Sequence, residues 1–182
     1  MRVLVVVDSM FGNTSQVGAS VKEGLCEVHP SVQAQVLRAS DVHSGDVAGV
    51  DLLVVGTPTH WRGVPSQRTH HQYLRDADES AGATRIGTPI DPAASGMRVR
   101  DWLGTLPQVD SGRAATFDTR LSRPLAGGAA PRLARRLARL GYTLTGEPAG
   151  SFVTGMEGPL RSGELDRAAD WGYRLLAPLL AT

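Results

Sequence analysis

Apolar and polar positions change period several times along the 182 residues, and each change marks an element. Residues 3–7 (VLVVV) are an unbroken, largely β-branched run, too short to span a bilayer and patterned like a strand buried on both faces. Asp8, Ser9, Met10, Phe11 and Gly12 break the run. From Asn13 the apolar positions Val17, Val21 and Leu25 recur every fourth residue, which predicts a helix. His29-Pro30 ends it. Residues 31–37 alternate loosely through Val32, Ala34 and Val36, as a half-exposed strand near a sheet edge does. Residues 39–49 are polar and broken, with room for a short helical turn, and 52–55 (LLVV) predict a third, buried strand.

Residues 64–96 interrupt this rhythm as a long insertion. The stretch is polar, carries His70, His71 and several arginines, and is punctuated by Gly82, Gly87, Pro89 and Pro92. A connection of this length reads as a lid, an interface arm or a mobile segment, with space for a short helix over 69–77. Helical spacing resumes at 97–106 through Val99, Trp102, Leu103 and Leu106. Residues 113–118 (RAATFD) predict a fourth strand. A helix over 129–140 follows, with Pro131 in its first turn, a stripe of Leu133, Leu137 and Leu140, and Gly141 just beyond its end. After an irregular 142–148, residues 149–153 predict a fifth strand. The last helix starts at Glu164, with Ser162 as its cap and Glu164 and Asp166 complementing its dipole.

The order β-α-β-β-α-β-α-β-α, with buried central strands, predicts an α/β fold with a doubly wound parallel sheet. Right-handed crossovers then gather the loops at 9–14, 57–63 and 117–120 on one rim, the carboxyl ends of strands one, three and four, where open parallel sheets bind ligands. The first loop suits a phosphate. Ser9, Asn13 and Thr14 carry side-chain donors, Gly12 permits a tight bend, and the helix start supplies free N–H groups without needing a Lys or Arg. It is neither GxxxxGK[ST] nor GxGxxG. The plainer reading is that Asn13 or Ser9 only caps the helix. In the second loop Pro58 stiffens the backbone, Thr57 and Thr59 offer hydroxyls, and Trp61 stands between His60 and Arg62 as either a ligand contact or a core side chain.

Composition narrows the classes. With 41% hydrophobic residues the chain reads as a single domain, 1–182, with a sizeable core. The formal net charge of +1 makes no global electrostatic case for nucleic acid or membrane binding. Cys26 is the sole cysteine, read as a packed helix residue in a reducing, cytoplasmic setting, and the immediate start of a strand leaves no room for a signal peptide. The histidines have no metal-binding spacing, so no metal is expected. Arg132, Arg135, Arg136 and Arg139 give one helix a basic face, either solvated or a docking patch for an acidic partner.

With these features the sequence resembles the flavodoxin-like superfamily along nearly its whole length. Ser9-Met10-Phe11-Gly12-Asn13-Thr14 is similar to the flavodoxin phosphate loop [ST]-x-[ST]-G-x-T, with Phe11 where many members carry a second hydroxyl. Ser-Met-aromatic-Gly, with the later Gly-Thr-Pro-Thr, also resembles the flavodoxin-like NAD(P)H:quinone reductases. The stretches SMFGNT, PTH, FDTR and TGMEGPL resemble flavodoxin family proteins of actinobacterial style. The resemblance implies a three-layer sandwich with a five-stranded parallel sheet in the order 2-1-3-4-5, and FMN as cofactor. Ser9, Met10, Phe11, Gly12, Asn13 and Thr14 would hold its phosphate. Thr57, Pro58, Thr59, His60, Trp61 and Gly63 would line one side of the flavin ring, and Thr116, Phe117, Asp118 and Arg120 the other. It implies a redox partner protein, or NAD(P)H with a small-molecule acceptor, and leaves a homodimer open. Unlike acidic shuttle flavodoxins, this chain is near neutral and carries the 64–96 insertion.

Three functions follow. One is an FMN-binding redox protein, by electron transfer or flavin-dependent reduction of a small acceptor. A second is an enzyme of the same fold recruited to another small-molecule reaction, with His60, Asp118, His70 and His71 as candidate acid–base groups. A third is a binding protein that works through the arginine helix.

Overall fold

A computed structural model describes residues 1–43, 45–59, 96–122, 128–155 and 157–180 of the chain. Its elements, in order, are β1 (Arg2–Val7), α1 (Asn13–Glu27), β2 (Gln33–Arg38), β3 (Leu52–Pro58), α2 (Val99–Trp102), β4 (Gly112–Leu121), α3 (Ala130–Arg139), β5 (Tyr142–Leu144), β6 (Ala149–Val153) and α4 (Glu164–Leu180). The insertion at 64–96, with His70 and His71, lies outside the described residues apart from Gly96, and so do His60, Trp61, Arg62 and Gly63.

The strands form one parallel sheet in the order β2-β1-β3-β4-β5, and β6 also pairs with β4. The expected fifth-strand position is thus shared. β4 runs ten residues, longer than the six of its apolar pattern. Its first part pairs with β5 through Gly112↔Tyr142, and its last part with β6 through Phe117↔Ala149 to Leu121↔Val153. The reading of 142–148 as irregular is corrected at its start, because Tyr142, Thr143 and Leu144 find partners on the exposed flank of β4. Thr119 and Arg120, expected in a loop, belong to β4 for the same reason.

Alternation along the strands builds two cores. Val3, Val5, Val7, Leu52, Val54, Ala115 and Phe117 face α1 and α4, where Val17, Val21, Leu25, Ala168, Leu175 and Leu176 close the layer. Leu4, Val6, Leu53, Val55 and Ala114 face α2 and α3 through Val99, Trp102, Leu133 and Leu137. The two helices of the first layer touch backbone to backbone. A Cβ on Gly24 would lie 1.9 Å from the Ala169 carbonyl oxygen, and one on Gly172 would lie 2.3 Å from that of Val21. The helical pattern at 97–106 condenses to a single turn, Val99–Trp102. At the start of α4 it is Gly163, not Ser162, whose carbonyl accepts the first i+4 bond, from the Arg167 N–H. Glu164 turns inward there, accepting from the Phe152 N–H at 2.9 Å and from Arg167 Nη1 at 2.8 Å.

Candidate functional site

The carboxyl edge of the sheet is where polar side chains enter the interior. Leaving β1, the chain bends through Gly12, whose φ of +80° is left-handed backbone that favours glycine. Gly12 occupies the N-cap position, α1 has no side-chain cap, and no acidic residue stands in its first turn. The capping reading of Ser9 and Asn13 is therefore set aside. Asn13 lies inside the helix, and its Nδ2 donates to the Glu157 carbonyl oxygen at 2.9 Å, pinning the 154–160 loop beside the turn. Thr14 is buried, and its hydroxyl meets that of Thr119 at 2.8 Å. If Thr119 donates, Thr14 keeps its own proton for a ligand. The hydroxyls of Ser9 and Ser15 are buried without a hydrogen-bond partner among the described residues. The result is an uncapped helix start lined with unspent donors, the electrostatic requirement for holding a phosphate.

The second feature is a row of polar residues across three strands. Val7 pairs with Gly56 and Thr57 with Asp118, so Asp8, Thr57 and Asp118 follow one another across β1, β3 and β4. All three are buried. Arg98 Nη1 reaches Asp8 Oδ1 at 2.5 Å, both side chains being 2% exposed, and the Thr57 hydroxyl donates to Asp8 Oδ2 at 3.4 Å. Burial pushes the Asp8 carboxyl up, against the opposing pull of Arg98. Asp118 Oδ2 accepts from the Ala130 N–H at 2.9 Å and from Arg120 Nη1 at 3.2 Å. Its carboxyl is also pushed up by burial, which those donors oppose. Thr59 Oγ1 accepts from the Ala129 N–H at 2.8 Å, so two loops meet at the start of α3.

The buried side-chain polar atoms without partners among the described residues are Ser9 Oγ, Ser15 Oγ, Arg98 Nε and Nη2, and Asp118 Oδ1. Ser9, Ser15 and Asp118 belong to the rim, and Arg98 is tied to it through Asp8. An orphaned buried polar group costs roughly 1–3 kcal/mol, so this edge is where the fold carries unmet polar demand. A ligand with phosphate oxygens and polar ring edges would meet that demand, and the donors of the first turn suit a phosphate.

The structure thus brings together Ser9, Met10, Phe11, Gly12, Asn13, Thr14, Thr57, Pro58, Thr59, Asp118 and Arg120 at one edge. Two expected ring-lining residues face elsewhere. Phe117 is buried between the sheet and the α1/α4 layer, its ring 6.1 Å from that of Trp171, because strand alternation turns it away from Asp118. Thr116 is buried under α3, and its hydroxyl donates to the Ala130 carbonyl at 3.0 Å. Met10 is only 2% exposed and packs as core. Asp8, Ser15, Arg98 and Thr119 complete the edge. Sequence reading missed them because their partners stand 90 and 105 residues away for Asp8 and Thr119, and Ser15 follows the motif. An aspartate ending an otherwise apolar strand was the one local signal.

No family model matches the chain, and no curated protein matches it in sequence. Solved structures do match. A flavodoxin from the domain Archaea superposes with a TM-score of 0.65 at 16% identity, over 100% of both chains. Oxidised flavodoxin 1 from Bacillus cereus gives 0.63 at 13% identity, over 97% of each chain. The Flv1 flavodiiron core from Synechocystis sp. PCC6803 gives 0.61 at 13% identity, covering 100% of this chain and 36% of that one. Together with the sheet order, these matches show that the chain has a flavodoxin-like fold.

Proposed function

We propose that the protein binds FMN at the carboxyl edge of its sheet and acts as a flavodoxin-like redox protein, in electron transfer or in reduction of a small acceptor. The observation that carries this reading is the uncapped start of α1, with Gly12 as N-cap and the Ser9 and Ser15 hydroxyls unspent beside it. Bound FMN supplies one- and two-electron transfer. The chain supplies position. Ser9, Thr14, Ser15 and the first N–H groups of α1 take the phosphate. Asn13 holds the 154–160 loop against the turn. Asp118 and Arg120 present a carboxyl group and a guanidinium at the end of β4. A redox protein or NAD(P)H as electron donor, and a cytoplasmic setting, belong to the same proposal.

Titration of purified protein with FMN, followed by flavin absorbance and fluorescence, tests it. Binding is expected. Thr14→Val should weaken it by removing a hydrogen bond to a charged group, worth roughly 1.5–3 kcal/mol, and Asn13→Ala should weaken it indirectly by releasing the loop that Asn13 holds through the Glu157 carbonyl. Folded protein that takes up no FMN refutes the proposal. It would favour an enzyme recruited to another reaction, for which Asp118, with one buried oxygen unpartnered, is the acid–base candidate.

A further inference from the structure

Helix α3 carries a charge pattern that its own stability does not explain. Residues 119–146 hold six arginines and no aspartate, glutamate or lysine. Removing those six from the 19 basic residues leaves 13 against 18 acidic ones, so the rest of the chain carries a net charge of −5. The near-neutral total thus conceals a segregated positive stretch. Four of the six, Arg132, Arg135, Arg136 and Arg139, share one side of α3 at helical spacing, while Leu133, Ala134 and Leu137 are buried on the other. Arg132, Arg135 and Arg139 are exposed, as are Pro131 and Ala138 among them. Arg136 is half-buried and reaches the end of α2, where a Cβ on Gly104 would stand 3.2 Å from its Nη2. None of the four has a hydrogen-bond or ion-pair partner among the described residues.

Folding alone disfavours this arrangement. Like charges three and four residues apart repel along a helix, and the pairs 132–135, 132–136, 135–139 and 136–139 all fall on this face. Arg132 also stands in the first turn, where the helix dipole favours an acidic residue and the sequence supplies none. Only Arg136 and Arg139, in the last turn, complement the dipole. The start of α3 belongs to the candidate site, since its Ala129 and Ala130 N–H groups donate to Thr59 and Asp118. The arginine face therefore begins at the edge of that site and runs about 15 Å along the helix. We infer that the outer face of α3 is the docking surface for an acidic protein, seated beside the flavin site. The inference rests on the redox proposal for its purpose, the delivery or removal of electrons, though docking itself does not require FMN. The charge distribution selects the class of partner. A nucleic-acid duplex or an anionic bilayer presents its charge over an extended area and would meet the net-negative remainder of the chain as well as the patch. A protein with carboxylates grouped over one helix length meets the patch alone.

The experiment measures binding of the full chain, with and without FMN, to poly-L-glutamate as the probe for an acidic polypeptide. A DNA duplex and vesicles of phosphatidylserine and phosphatidylcholine, at equal charge concentration, are the competing probes. Poly-L-glutamate is expected to bind more tightly than either, and to weaken as salt is added. Arg135→Glu/Arg139→Glu should reduce its affinity at least about tenfold while leaving FMN affinity unchanged. Lys22→Glu/Arg174→Glu makes the same change of charge at exposed positions on α1 and α4, in the opposite layer, and should alter binding by less than about twofold. Arg132→Glu should raise the melting temperature by about 1–4 °C, because it complements the helix dipole, and yet weaken poly-L-glutamate binding. Equal losses in the α3 and the α1/α4 variants, or binding indifferent to Arg132→Glu, overturn the inference. Tighter binding of duplex or vesicles overturns the assignment to an acidic protein. Should the α3 double variant fail to fold, Arg132→Glu decides alone. Poly-L-glutamate binding at α3 without FMN uptake would retain this surface and refute the flavin reading, and FMN uptake without such binding would do the reverse.

Discussion

Replacing Arg98 with Met tests how the floor of the site is held. Arg98 and Asp8 are each 2% exposed, and Arg98 is the only cation that the Asp8 carboxylate meets among the described residues. Removing one member of a buried ion pair costs roughly 3–5 kcal/mol, because the other charge is left desolvated and unpaired. Against a total stability of about 5–15 kcal/mol for an ordinary domain, that is a large fraction. Asp8 can escape part of the cost by taking a proton. Burial already raises its pKa, and losing Arg98 removes the first force that opposes the rise. In Arg98→Met the native chain then holds a proton on Asp8 at pH values where the unfolded chain has released it. The unfolded state binds fewer protons over that window, so stability falls as pH rises from the unfolded value of 3.8 towards the raised native one, by about 1.4 kcal/mol per pH unit. The variant should therefore be less destabilised at pH 5 than at pH 8. Asp8→Asn/Arg98→Met keeps an acceptor for the Thr57 hydroxyl and removes both charges. It should lose less than the sum of the single variants, with a coupling of roughly 2–3 kcal/mol. Urea unfolding at both pH values reads this directly, since about 3 kcal/mol moves the midpoint by about 1 M or more. Strict additivity of the two substitutions, or a loss in Arg98→Met that does not change with pH, would refute the reasoning.

Ser9→Ala separates a ligand role from a structural one. The Ser9 hydroxyl has no partner among the described residues, so the FMN-free variant should be at least as stable as the parent, relieved of an orphaned buried hydroxyl, yet bind FMN roughly tenfold more weakly; a loss of stability with unchanged FMN affinity would contradict the assignment. Gly24→Ala places a methyl group 1.9 Å from the Ala169 carbonyl oxygen. It should cost roughly 1–3 kcal/mol by forcing α1 and α4 apart, measured by denaturant unfolding, and a neutral effect would show that the helices separate freely.

Much of the fold was legible because it is written locally. The buried strands show as β-branched runs at 3–7 and 52–55, and the helices as spaced apolar stripes. The turn from Ser9 to Thr14 joins strand to helix within a few residues, so its shape is local, although Asn13 and Thr14 find their partners far along the chain. The end of α3 was equally readable, since Gly141 has a φ of +96° that its side-chain-free backbone accommodates. Tertiary structure alone decided the rest. Parallel pairing brings together residues far apart in the chain, and its register is set by crossovers and by packing on both sheet faces. Packing of the helices on that sheet joins Asp8 to Arg98, 90 residues away, and Thr14 to Thr119, 105 away. The register turned Phe117 inward while leaving Asp118 and Arg120 on the opposite face, a distinction of one residue within the short run TFDTR. It also extended β4 far enough to pair with both β5 and β6, which set Phe152 opposite Arg120. Local pattern reports which residues prefer to be buried. Which buried polar groups meet depends on how the layers close, and that is settled only when the whole sheet forms.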